Sequence, residues 1–123
     1  MYADTDFFLA LFKESDWLKH RAEMFLKKYE DGITASVVTV IEILLTCERY
    51  RIDPEEALLS IFQIAKVEGI AEEQALAAAH FMKEKGLNVF DALHASFCNG
   101  ELISSDHAYD KLHINRIRLE ANE

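Results

Sequence analysis

Four carboxylates in this chain sit where a globular protein rarely leaves an unpaired charge. Asp4 ends the apolar opening MYA, Glu42 interrupts VVTVIEILL, Asp91 interrupts LNVFDALHASF, and Asp106 directly follows ELISS. Each lies inside or at the edge of a segment that should build the core, where a lone carboxylate is costly. One shared divalent cation site would compensate all four. Oxygen-only ligands suit the hard ions Mg²⁺ and Mn²⁺. Such an ion activates water and stabilises charge developing on a phosphate. The pattern is therefore that of metal-dependent phosphodiester hydrolysis. The same carboxylates clustered without a cation would repel, and at least one pKa would rise.

Each acid also has a local explanation. Asp4 suits the N-cap of a following helix, a role Thr5 could also take. Thr39, Glu42, Thr46 and Arg49 share one helical stripe, at spacings of three and four. That stripe either faces solvent or lines a polar cleft. Asp91 sits three residues after Asn88, close to a capping-box arrangement, and Asp106 could cap the turn holding Ala108 and Tyr109. Asp110 reads as a surface residue. Caps explain carboxylates near helix starts, but they do not predict that all of them meet at one sheet edge. A helix N-terminus also keeps a carboxylate ionised, which a hard cation requires.

The elements that must position these acids follow from local patterning. Met1–Asp4 reads as a short buried strand, 5–13 as a helix, and 16–29 as a second helix with Trp17, Leu18, Met24 and Phe25 at helical spacing. Asp31-Gly32 ends it. A short strand at 33–35 leads to a long helix capped by Ser36 and running to about Arg51. Asp53-Pro54 restarts a helix, with aspartate as cap and proline at the first helical position. A minimal strand at 67–70 precedes a helix at 71–85, stopped by Gly86. Asn88 caps the next helix, to about Cys98. A strand at 102–105, a helical turn at 107–111 and a last strand at 114–117 complete the chain. Short apolar strands alternating with helices imply a parallel sheet covered on both faces. Ligands of such sheets bind beyond the carboxyl ends of the strands. Asp4 and Asp106 fall at such ends and Asp91 in the first turn of a helix. Glu42 lies roughly 9 Å along its helix, within reach of the same edge for a long side chain.

Length and composition bound the rest. A chain of 123 residues, half of them apolar, suits one domain, 1–123, with one core. The net charge of −9 argues against a non-specific nucleic-acid coat. It does not exclude a nuclease, because bound metal ions reverse the local sign. Cys47 and Cys98 lack metal-ligand spacing and are expected as reduced, buried packing residues. No apolar run is long enough to span a bilayer and no signal peptide is evident, so a cytoplasmic location is expected.

Four stretches resemble the motifs of the PIN-domain ribonucleases, particularly the VapC-type toxins of prokaryotic toxin–antitoxin pairs. YADTDFFLALF is similar to the first, SVVTVIEILL to the second, NVFDALHAS to the third and LISSDHAYDKL to the fourth. The resemblance implies a three-layer α/β/α sandwich with a short, mainly parallel central sheet. It implies an endoribonuclease using Mg²⁺ or Mn²⁺, with catalytic and metal-site roles for Asp4, Glu42, Asp91 and Asp106. Asp4, Asp91 and Asp106 would hold metal, and Glu42 would position a second ion or the attacking water. Thr5 would steady the site by hydrogen bonding, with Asp110 an outer contributor. Asp6 stands where the family often has Asn or Ser, and puts an extra acid beside the site. The partners implied are RNA, an antitoxin protein and a second copy of the chain.

Lys13, Lys19, Arg21, Lys27, Lys28, Arg49 and Arg51 are candidates for holding RNA, against the plainer reading of a solvated charged face. His107 is either a phosphate contact or a surface histidine, and His94 reads as a satisfied structural one. Phe7, Phe8, Leu11 and Phe12, with Trp17, Leu58 and Phe62, divide between core and a dimer face or partner groove. Three other functions compete. A catalytically silent module of the same fold would keep the sheet edge for binding RNA or protein. A phospho-acceptor receiver domain would need a lysine that the last segment lacks. A purely structural protein would use the acids as caps alone.

Overall fold

A computed structural model describes residues 1–121. The chain alternates short strands with helices: β1 (Tyr2–Ala3), α1 (Thr5–Phe12), α2 (Lys19–Lys28), β2 (Thr34–Ser36), α3 (Val37–Tyr50), α4 (Pro54–Ile64), β3 (Lys66–Glu68), α5 (Glu72–Lys85), α6 (Val89–Phe97), β4 (Glu101–Ser104) and β5 (Asn115–Arg118), with a 3-10 turn at His107–Lys111 before β5. The five strands form one sheet in the order β3-β2-β1-β4-β5. Every pairing is parallel, so the expected mainly parallel sheet is wholly parallel among the described strands.

Strand periodicity builds the layers. Successive side chains of a strand point to opposite faces. Ala3, Ala35 and Ile103 therefore join Phe7, Phe8, Ile43 and Ile61 in one apolar cluster under α1–α4. Their neighbours Tyr2 and Leu102 join Ala78, Ala92, Ala95 and Tyr109 in a second cluster, under α5 and α6. The result is a three-layer α/β/α arrangement. The chain enters the sheet at its centre and winds outward in both directions, so the order reverses between β1 and β4. That reversal is where open α/β sheets leave a crevice at the strands' carboxyl ends. Asp4 and Asp106 sit there, and the Asp4 amide donates to the Ile103 carbonyl at 2.9 Å.

Local chemistry sets the helix ends. Ser36 caps α3 by accepting from the Val38 amide, and its own amide donates to Thr39. Asp53 caps α4 ahead of Pro54, and Gly86 closes α5 at φ 68°, a conformation costly for other residues. The start of α2 departs from expectation. Asp16 accepts from the Leu18 amide in a turn of its own, and the helix begins at Lys19. Trp17 precedes it and stands 75% exposed. Phe7 and Phe8 are fully buried and packed edge-to-face, so they are core and offer nothing to a partner. Cys47 is buried as expected. Cys98 is only half-buried and sits at the C-cap of α6, and both thiols are free.

Candidate active site

Asp4, Glu42, Asp91 and Asp106 line one cleft of about 370 Å³, together with Thr5, Asp6, Leu9, Thr46 and Ser105. A larger hollow of about 480 Å³ lies between α2 and α4, but its acids are exposed and stand beside Lys27. The four acids reach the cleft from four separate elements, each by a definable route.

Asp4 follows β1 as the N-cap of α1. One of its oxygens accepts from the Thr5 amide at 2.8 Å and the other from the Ser104 hydroxyl at 2.7 Å. Asp106 follows β4 as the cap of the 3-10 turn, accepting from the Ala108 amide, while its own amide donates to the Ser104 Oγ. Ser104 thus bridges the two strand-end acids. Asn88 caps α6 by accepting from the Asp91 amide, its side-chain amide donates to the Asp91 carboxylate, and Asp91 also accepts from the Tyr109 hydroxyl. The caps are real, and the capping carboxylates still line one cleft. Glu42 lies about two turns into α3, and of its stripe Glu42 and Thr46 line the cleft, Thr39 is buried and Arg49 is exposed. The Thr5 hydroxyl draws Glu42 Oε1 in at 2.7 Å, and His94 Nε2 contacts the same oxygen.

His94 is the residue that sequence patterning undervalues. It is fully buried, and its ring joins Glu42, Thr5 and Asp4 on one side and the Tyr2 hydroxyl on the other. Ligand atoms of Asp4, Glu42 and His94 lie within 4.8 Å of one another. Its spacing from Asp91 by three residues is the available signal, since that places both on one helix face. Asp110 does not join the site. It pairs with Arg116 at 2.8 Å, and the exposed His107 lies between Asp110 and Glu120.

The electrostatics reflect crowded negative charge. Burial raises the Asp4 carboxyl, against the opposing pull of His94 and the Ser104 hydroxyl. Burial, then the charge of Asp4, pushes Asp6 up to about 7. Burial, then Asp106, pushes Asp91 up to about 6. For His94, burial opposes protonation, but Glu42 and Asp4 outweigh it and raise the pKa. Asp6 accepts from the amide and hydroxyl of Ser105 through Oδ2, while Oδ1 is buried with no hydrogen-bond partner. No Lys or Arg is among the lining residues. Three of the seven expected RNA-holding cations are engaged elsewhere. Lys13 pairs with Asp16, Lys19 donates to the carbonyls of Leu11 and Lys13, and Arg21 to those of Arg118 and Leu119.

The chain matches the family model for the PIN domain over residues 1–114. It belongs to the PIN domain family. No curated protein sequence matches it. The fold recurs in solved structures, among them two that cover most of this chain. One is a toxin–antitoxin complex from Klebsiella pneumoniae, at 18% identity and TM-score 0.69, covering 86% of each chain. The other is VapBC2 from Rickettsia felis bound to a DNA fragment from its promoter. It has 15% identity and TM-score 0.69, and covers 95% of this chain and 96% of that one. PIN domains are generally nucleases, typically using a divalent metal. The residues of this PIN domain fit such an ion. Their donors are mostly oxygens, one of them buried without a partner, and several carboxyls are held above their usual range by burial and by one another. A divalent cation supplies the positive charge that the lining lacks.

Proposed function

We propose that the chain is a metal-dependent endoribonuclease that hydrolyses RNA phosphodiester bonds, the VapC-type toxin of a type II toxin–antitoxin pair. The observation that carries this is the meeting of four acids from four elements at the strand-order reversal of a PIN domain, with no Lys or Arg lining their cleft.

In this reading Asp4, Asp91 and Asp106 would hold Mg²⁺ or Mn²⁺, directly or through water, with Glu42 lining the same cleft. The metal, when bound, activates water and stabilises charge on the phosphate. The chain's own residues do the rest. Ser104 fixes Asp4 and Asp106 relative to each other through its one hydroxyl. Thr5 holds Glu42 and, through its amide, Asp4. Glu42 orients the attacking water or a second ion. Tyr109, whose hydroxyl burial keeps protonated, orients Asp91 as a donor.

The partners are RNA, an antitoxin and a second copy of the chain in a homodimer. Exposed Ile41, Leu44 and Leu45 of α3, with Leu59 and Phe62 of α4 and Trp17, support a protein partner. The Klebsiella pneumoniae relative is itself a toxin–antitoxin complex, which supports an antitoxin as one such partner. Residues 1–123 act as one domain in the cytoplasm. No helix among the described residues is long and apolar enough to cross a membrane.

The test is incubation of purified protein with labelled single-stranded RNA in Mg²⁺, in Mn²⁺ and in chelator, beside Asp91→Asn. Metal-dependent cleavage lost in the variant is expected. Intact RNA, with protein that is folded and free of co-purified inhibitor, refutes the nuclease and leaves a silent binding module.

A further inference from the structure

Glu42 differs from the other three acids in how it reaches the cleft. Asp4 and Asp106 sit at strand ends and Asp91 in a helix's first turn, so the backbone itself delivers them. Glu42 lies mid-helix, and its longer side chain must be held in one rotamer at an entropic cost. Its Oε1 is taken by Thr5 and His94, whereas Oε2 accepts no hydrogen bond from the described residues.

His94 does the holding from behind the cleft, which it does not line. Nε2 faces Glu42 and Asp4, which in their ionised forms only accept, so Nε2 carries hydrogen and donates. Nδ1 lies 2.7 Å from the Tyr2 hydroxyl, and that hydroxyl lies 2.8 Å from the Ser36 Oγ. Ser36 is the cap of α3, the helix that carries Glu42. The chain Ser36–Tyr2–His94–Glu42 therefore runs from the N-cap of α3 through β1 and α6 back to α3 itself.

We propose that His94 is a positioning residue that fixes the Glu42 carboxylate with Oε2 turned toward the cleft, and that Tyr2 fixes His94 by tying it to the α3 cap. This rests on the metal-site role proposed above for Glu42.

The test is Mn²⁺ affinity, measured by calorimetry or electron paramagnetic resonance near neutral pH on variants shown to be folded by circular dichroism. His94→Ala is expected to lose about 10- to 100-fold in affinity, the range for residues that orient metal ligands. Tyr2→Phe, which keeps the ring and its packing, loses less but measurably. His94→Gln, whose amide donates from a similar reach, recovers most of the loss. In a Glu42→Gln background the loss from His94→Ala disappears, because His94 acts through Glu42. If His94→Ala fails to fold, Tyr2→Phe in the same background carries the cycle. A loss of undiminished size in the Glu42→Gln background overturns the proposal, as does wild-type affinity in both Tyr2→Phe and His94→Ala. Absence of Mn²⁺ binding by the wild-type protein overturns both this proposal and the metal-site role it rests on. Binding by the wild type with an additive cycle overturns this one alone.

Discussion

Replacing Asp6 with asparagine should stabilise the metal-free protein at alkaline pH and do little at acid pH. Asp6 is held at about 7, against an ordinary value of 3.8, first by burial and then by the Asp4 charge. An acid whose pKa rises on folding binds more protons in the native state, so stability is highest below its unfolded pKa and falls as pH rises through the folded one. Above pH 7 the whole penalty is present. Roughly three pKa units at about 1.4 kcal/mol each set it on the order of 4 kcal/mol. Asparagine removes the charge but gives Ser105 a weaker, neutral acceptor, so a net gain of about 2 to 3 kcal/mol is expected at pH 8. With a urea m-value of roughly 1 to 3 kcal/mol per molar, the unfolding midpoint should rise by about 1 M or more. The assay is urea unfolding followed by circular dichroism in chelator, at pH 5 and pH 8. At pH 5, only about one unit above the unfolded value, the penalty is down to about 1 to 2 kcal/mol, which the weaker asparagine acceptor offsets, so the gain should nearly vanish. A variant less stable than wild type at pH 8, or a difference independent of pH, would refute the claim that Asp6 is an uncompensated buried charge.

Three further outcomes are expected. Mn²⁺ affinity, followed by calorimetry, should fall steeply below about pH 6, because Asp91 titrates there and each proton displaced by the metal costs about tenfold per pH unit. Arg116→Met should destabilise by about 2 to 3 kcal/mol in urea melts, since the nearly buried guanidinium donates to the Ser104 carbonyl at 3.0 Å, to Asp110 and to Glu120. Its loss also loosens the strand end carrying the Ser104 bridge, so metal affinity should drop in the same variant. Ser36→Ala should cost about 1 to 2 kcal/mol of stability, because the hydroxyl both caps α3 and contacts Tyr2.

Features written in local chemistry are legible in the amino-acid sequence. Ser36, Pro54 and Gly86 mark helix ends through groups that act within a few residues, and the order of short strands and helices is enough to imply a parallel sheet. The four acids stand out because they break apolar segments. What local patterning does not supply is contact across the chain. The Ser104 hydroxyl meets Asp4 across 100 positions and Tyr2 meets His94 across 92, so neither pairing leaves a periodicity to read. The lean of Glu42 into the cleft depends on two such distant partners, which is why its stripe admits a solvent-facing alternative. Trp17 misleads because it shares helical spacing with Leu18 and Phe25, while Asp16 spends its side chain on a turn that delays the helix.

The central claim is that Asp4, Glu42, Asp91 and Asp106 together form one divalent-cation site. Anomalous diffraction at the manganese edge, from crystals grown with Mn²⁺, tests it directly. A peak in the cleft, coordinated by these carboxylates and lost in Asp91→Asn, is the predicted result. A clean map with no manganese in that cleft, from protein that cleaves RNA in the same buffer, would contradict it.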